Sequence, residues 1–249
     1  MPMRVFAIAD IHLSRAFPKP MNIFGPEWDG HPEAVFEEWR KVVGPDDLVI
    51  VAGDISWAMK LPEALLDLND LAQLPGTKVL LRGNHDYWWP SISRLRQVLP
   101  PRMHALQHDS LIIGNLAIAG SRGWDTPGGY NFTPEDEKIY KREVERLALS
   151  LKTVQGHDHE YLVLAMHYPP YGPTGGPTGF TALIEQYRPT CVVYGHLHGA
   201  DPERLPKQWN GVPLHFVSAD VVRFRPQLIL ETPHQTHIHE PSGQTHNQP

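Results

Sequence analysis

The stretch LLRGNHDYWW, Leu80 to Trp89, leaves an apolar segment through a glycine, an amide, an imidazole and a carboxylate in succession. A turn after a buried strand uses Gly83 and accepts Asn84, but it has no need of His85. Other short apolar runs end in the same way. RVFAIA (4–9) leads into Asp10 and His12, and LVIVA (48–52) into Asp54. YLVLAM (161–166) leads into His167, and CVVY (191–194) into His196 and His198. Each run is short and rich in branched residues, as buried strands are.

Between these runs the spacing predicts helices over 32–43, 61–74, 90–99, 134–153 and 181–187. In the longest, Ile139, Tyr140, Val144, Leu147, Ala148 and Leu151 fall on one face. Thr133 and Pro134 form an N-cap and first-turn pair, with Glu135 and Asp136 at the positive end. Strands alternating with helices predict an α/β domain whose ligands gather beyond the carboxyl ends of the strands. The segment 104–124 reads as two strands meeting at Gly114-Asn115. VPLHFVSAD (212–220) and PQLILE (226–231) read as further strands without helices between them, so a second, more antiparallel sheet is expected behind the first. The loops GWDTPGGYNF (123–132) and HYPPYGPTGGPTGF (167–180) are too long for connectors and are expected to wall a site. The domain is expected to span 1–233. Residues 234–249 lose periodicity and are expected to form a His-rich arm, with His234, His237, His239 and His246, that is solvated or binds metal weakly.

With 249 residues and 41% hydrophobic residues, the chain can bury a large core. Its formal charge of -6 and its lack of a dense Lys/Arg run exclude charge-driven binding to long nucleic acid or an anionic membrane. A small anionic substrate stays open, because a metal can supply positive charge. The single cysteine, Cys191, lies in an apolar run and reads as a core thiol; it forms no disulfide within the chain. No stretch approaches transmembrane length and the start lacks a small-residue cleavage site, so a cytoplasmic protein is expected. Nothing in the sequence sets the oligomeric state.

Asp10, His12, Asp54, Asn84, His167, His196 and His198 are the candidate metal ligands. In an extended segment, residues two apart face the same way, so Asp10 can converge with His12 and His196 with His198. So many ligands exceed the needs of one ion and suit two ions sharing a carboxylate. Imidazole and carboxylate without thiolate favour Mn, Fe, Zn, Co or Ni over Mg or Ca. Two such ions about 3.5–4 Å apart support in-line displacement at phosphorus.

Taken in order from Asp10 to His198, DIH, GD, GNHD, H and GHLH resemble the signature of the calcineurin-like metallophosphoesterase family. The resemblance implies a two-sheet sandwich flanked by helices, a four-layer α/β/β/α fold, with a dinuclear site at the sheet edge. It assigns Asp10, His12 and His198 to one ion, Asn84, His167 and His196 to the other, and Asp54 to both, with Mn the expected metal. A metal-bridging hydroxide would attack phosphorus, and His85, outside both ions, would protonate the leaving oxygen. Asp86 either orients His85 or caps the following turn.

The family's protein-phosphatase branch reads G-D-x-x-D-R-G, where this chain has Trp57 and Ala58 in place of the Asp and Arg. It also has G-N-H-E where this chain has G-N-H-D. Trp57, Trp88 and Trp124 either stack a nucleobase or pack the loops. Arg122 either grips phosphate bidentately or forms a surface ion pair. The expected function is hydrolysis of a small phosphodiester such as a cyclic nucleotide. The alternatives are a broad phosphomonoesterase or protein phosphatase and, further off, a nuclease or a non-catalytic scaffold.

Overall fold

The computed structural model describes residues 2–232 and 238–239. Chain order begins β1 (Met3–Ile8), α1 (His31–Val42), β2 (Leu48–Ala52), α2 (Leu61–Ala72), β3 (Thr77–Leu81), α3 (Ile92–Val98) and β4 (Met103–Leu106). It continues with β5 (Ser110–Ile113), β6 (Leu116–Ser121), α4 (Pro134–Val154), β7 (Tyr161–Met166), α5 (Gly179–Tyr187) and β8 (Cys191–Tyr194). It closes with β9 (Gln208–Trp209), β10 (Val212–Phe216), β11 (Gln227–Thr232) and β12 (Ile238–His239).

The strands form two sheets, ordered β11-β1-β2-β3-β4 and β12-β5-β6-β7-β8-β10-β9. Val5, Ile50, Val79, Ile118, Val163 and Val193 belong to one buried cluster that draws on both sheets and fills the space between them. Trp39, Leu68 and Leu95 carry α1, α2 and α3 onto the outer face of the first sheet. Leu147, Leu151 and Ile184 bring α4 and α5 onto the second. The result is the four-layer α/β/β/α sandwich. At α4, Thr133 accepts from the Asp136 N–H, while the Asp136 carboxylate accepts from the Thr133 N–H, a reciprocal cap that fixes the helix start.

The second sheet is the more antiparallel, as expected: β12-β5, β5-β6 and β10-β9 pair antiparallel around a parallel centre of β6, β7, β8 and β10, whereas in the first sheet only β11-β1 does. Two expectations are corrected. β11 joins the first sheet, antiparallel to β1. Residues 104–124 contain a third strand as well, because β4 pairs with β3 before the chain crosses to the second sheet. Of the arm expected over 234–249, Ile238 and His239 pair with Ile113 and Ile112 of β5. His234, His237 and His246 lie outside the described residues.

Candidate metal centre

The motif-bearing strands are shared between the sheets: β1, β2 and β3 end in Asp10, Asp54 and Asn84, and β7 and β8 end in His167 and His196. Bridging contacts stitch the two edges together. Ala9 N–H donates to the Val217 carbonyl of the other sheet at 2.8 Å, while within the first sheet Asp10 N–H donates to the Gly53 carbonyl at 2.9 Å. Gly53 sits at φ 93°, and a Cβ there would lie 2.6 Å from His167 Nδ1. Only glycine lets the two sheet edges approach this closely.

Asp10, His12, Asp54 and His196 have φ of 59°, 44°, 52° and 73°, in the left-handed region. The extended geometry expected for the Asp10–His12 and His196–His198 pairs is therefore not what joins them. Tight turns do this instead, with His198 N–H donating to the His196 carbonyl at 3.0 Å. Such backbone costs on the order of 1–3 kcal/mol per residue and concentrates at functional sites.

Asp10 and Asp54 share one arrangement. Asp10 Oδ2 accepts from His196 N–H at 2.9 Å and from the Ser218 hydroxyl at 2.8 Å. Asp54 Oδ1 accepts from His85 N–H at 2.8 Å. The other oxygens, Asp10 Oδ1 and Asp54 Oδ2, are buried without a hydrogen-bond partner. Imidazoles surround them. Asp54 Oδ2 is 3.8 Å from His12 Nε2 and 3.5 Å from His167 Nε2, and Asp10 Oδ1 is 3.9 Å from His198 Nε2.

His167 adds an imidazole of fixed tautomer to this arrangement. Its Nδ1–H donates to the Ala52 carbonyl at 3.0 Å, which fixes the tautomer. Burial holds its imidazole down to about 3, so Nε2 presents a lone pair. That lone pair lies 2.7 Å from the Asn84 side-chain amide. His12 Nε2 and His198 Nε2 also meet, at 3.2 Å. Orphaned carboxylate oxygens and converging lone pairs fit divalent cations.

Among the described residues, Asp10, His12 and His198 bring ligand atoms within 4.8 Å of one another, and so do Asp10, Asp54 and His167. Asp10 is thus common to both groups, while Asp54 Oδ2 faces both His12 and His167. His196 belongs to neither. Its ring packs on Tyr168 at 3.9 Å and lies 5.1 Å from the His167 ring.

Other candidates divide. His85 is half-buried, 4.5 Å from the Trp57 ring and 5.8 Å from the His12 ring. Trp57 stacks on His12 at 4.6 Å, so it braces a ligand. Trp124 lines an apolar pocket of about 370 Å³ with Tyr168, Tyr171, Leu197 and His196. Arg122 pairs with Glu143 at 3.3 Å and lies 4.5 Å over the Trp124 ring.

Asp86 and Trp88 are corrected. Asp86 is fully buried and accepts from Ile55, Ser56 and Gly83 N–H groups and from the Trp88 indole N–H. Oδ1 ties the β3 loop to the β2 loop, Oδ2 closes the β3 loop onto Gly83 N–H, and no hydrogen bond joins Asp86 to His85. Trp88 is buried against Trp89 with its indole N–H on Asp86, so it presents no exposed face on which a base could stack.

Ser218, Asp220 and His31 carry roles that the sequence did not show. Asp220 Oδ1 is 3.6 Å from His198 Nδ1. Burial works against protonation of His198, but Asp220, Asp10 and Asp54 outweigh it and raise its imidazole. The signal was a further acid just past a strand, in VSAD (217–220). His31 opens α1, and its ring lies 3.2 Å from the Trp28 carbonyl and 3.1 Å from the His12 carbonyl, holding the first ligand loop down.

The family profile of calcineurin-like phosphoesterases matches residues 3–200. The chain belongs to this family. Metal-dependent hydrolysis of phosphoric esters follows as its activity class. No curated protein matches the sequence. Among solved structures, the phosphopantetheinyl hydrolase of Mycobacterium tuberculosis is similar at 20% identity and TM-score 0.52, over 87% of this chain and 89% of that one. TT1561 of Thermus thermophilus is similar at 14% identity and TM-score 0.53, over 79% and 82%. At these identities the likeness is one of fold. Among the described residues no helix is long and apolar enough to cross a membrane.

Metal uptake by this calcineurin-like phosphoesterase should depend on pH. Burial pushes the Asp10 carboxyl up to about 7, against the pull of His198. Below that pH a cation must displace a proton, so affinity weakens as pH falls, and binding near pH 7 releases protons. In the metal-free protein the raised value means that the folded state binds the proton more tightly than the unfolded chain. Asp10 therefore subtracts stability as pH rises from the ordinary carboxylate range toward 7. Calorimetric titration of Mn into stripped protein, in buffers of different ionisation enthalpy, reads the proton release. Equal affinity across pH 6–8 would contradict it.

Proposed function

We propose that the chain hydrolyses a small, nucleotide-like phosphodiester. The observation that carries this reading is the pair of free carboxylate oxygens, Asp10 Oδ1 and Asp54 Oδ2, facing His12, His167 and His198 beside an apolar pocket. Two divalent cations, Mn by preference, would be held by Asp10, His12, Asp54, Asn84, His167, His196 and His198, and when bound they neutralise phosphate charge and acidify water.

The chain's own groups do the rest. The pocket walled by Trp124, Tyr168 and Tyr171 adjoins His196 and suits a flat organic substituent on phosphorus. A monoester would leave that volume less used. A water oxygen forms the new bond to phosphorus as the ester P–O bond breaks, and the departing oxygen takes a proton from the His85 imidazolium. Burial lowers the His85 pKa, Asp54 opposes the shift, and Lys19 adds to it. A lowered pKa makes the imidazolium a better donor. The lone Cys191, buried in β8, fits a reducing cytoplasm, and a catalytic domain over 1–233 with an arm over 234–249 fits the same reading.

Stripped protein reconstituted with Mn should turn over bis(4-nitrophenyl) phosphate with a kcat/KM roughly tenfold or more above that for 4-nitrophenyl phosphate. Equal values would remove the diester preference. Absence of turnover of either ester with any divalent metal would remove the enzymatic reading.

A further inference from the structure

A second cavity, of about 50 Å³, lies where β3, β4 and β6 end beside α4. Its lining includes Arg82, Gln107, His108, Arg122, Glu143 and Arg146. Three guanidinium groups here face one carboxylate. Arg122 and Arg146 share the same oxygen, Glu143 Oε1, at 3.3 and 2.7 Å. The nearby Asp109 is taken by Arg96 at 2.5 Å and by the Gln107 N–H. Arg82 Nε and Arg122 Nε are buried without a hydrogen-bond partner. No ion pair among the described residues engages Arg82. The cavity therefore carries an excess of about two positive charges on guanidinium groups, the side chain whose planar fork suits a tetrahedral oxyanion.

Its place is as informative as its charge. Arg82 stands two residues before Asn84, which limits their Cα separation to about 7 Å. The Arg122 carbonyl accepts from His167 N–H at 3.1 Å and from Tyr168 N–H at 3.0 Å. The cavity thus flanks the metal centre on its Asn84–His167 side, while the Trp124 pocket flanks it at His196. Arg82, Gln107, His108, Arg122 and Arg146 are only half-buried, so the cavity is reachable.

We propose that this cavity is a second anion subsite, which takes a further phosphoryl group of the substrate whose scissile phosphate lies at the cations. The inference rests on the proposed function and narrows it from a plain cyclic mononucleotide to a diester bearing a second phosphoryl group, as in a phosphoanhydride. A neutral substituent would leave Arg82 without a counter-charge.

Two measurements test it. Calorimetric titration of sulfate into metal-stripped protein should show binding that weakens roughly tenfold or more in Arg82→Gln. Loss of an uncompensated charge should not lower the melting temperature of that variant in sulfate-free buffer. Absence of sulfate binding in the wild type, or equal binding by the variant, overturns the subsite. A lowered melting temperature with the sulfate response intact marks Arg82 as structural and overturns it too. With metal-loaded protein and a chromogenic diester, ADP should inhibit roughly tenfold more tightly than AMP, and Arg82→Gln should collapse that ratio. Equal inhibition by the two nucleotides in the wild type overturns the assignment to a substrate phosphoryl and leaves at most a site for free anions. The sulfate arm needs neither metal nor turnover, so failure of the phosphodiesterase reading would show separately, as an unreacted chromogenic ester.

Discussion

Asp54→Ala yields a folded protein that no longer retains its cations. One carboxylate oxygen is pinned by the His85 N–H, and the other faces His12 and His167. Removing it strips a charge from between the two ligand groups and frees the backbone of the β3 loop. Elemental analysis after dialysis against Mn should find the variant depleted, and kcat/KM should fall by roughly 10³-fold or more, given that the cations supply several kcal/mol of transition-state stabilisation. The loss is not one of folding. Burial raises the Asp54 carboxyl, so the group strains the metal-free protein, and its removal should leave the apoprotein's melting temperature unchanged or higher. Asp54→Asn separates the two duties of the residue. It keeps an oxygen for the His85 N–H but loses the charge, and it should be depleted in metal as well. A variant with wild-type metal content and activity would sink the assignment of Asp54 to the centre.

His85→Ala has a different signature. The imidazole lies beside Trp57 and outside both ligand groups, so metal content should match the wild type. Turnover of an alkyl ester should drop by roughly 10²–10⁴-fold, the usual range for removing a general acid. An ester of 4-nitrophenol, whose leaving oxygen needs no proton, should lose about tenfold or less. The split between leaving groups is the test. Equal losses for both esters would show that His85 positions the substrate or braces the Trp57–His12 stack instead of donating a proton. Asp86 cannot stand in for it, because both of its oxygens are already committed to the loop.

Much of this was legible because each ligand follows an apolar strand, and strands are readable from short runs of branched residues. The α/β layering and the gathering of Asp10, Asp54, Asn84 and His167 follow from that pattern alone. The means of convergence was not legible. Residues two apart suggested extended chain, yet Asp10 and His12 sit in left-handed turns held by cross-strand hydrogen bonds. The role of Asp86 was open because its partners Ile55 and Ser56 lie on another loop, and a sequence does not display which backbone N–H groups meet a carboxylate. His31 supports His12 across the intervening loop and the Trp28 turn, a contact that leaves no periodic trace. The place of β11 beside β1 was equally hidden, since pairing between the two ends of a chain depends on global register.

The left-handed backbone at Asp10, His12, Asp54 and His196 bears on how this molecule could be made hardier. The usual remedy for a contorted residue is glycine, which relaxes the chain but here would delete the donor atom itself. Heat tolerance therefore has to be sought far from the cations, for example on the solvent side of α4, where Leu149 is exposed. Selection for thermal resistance alone would tend to discard the ligands first.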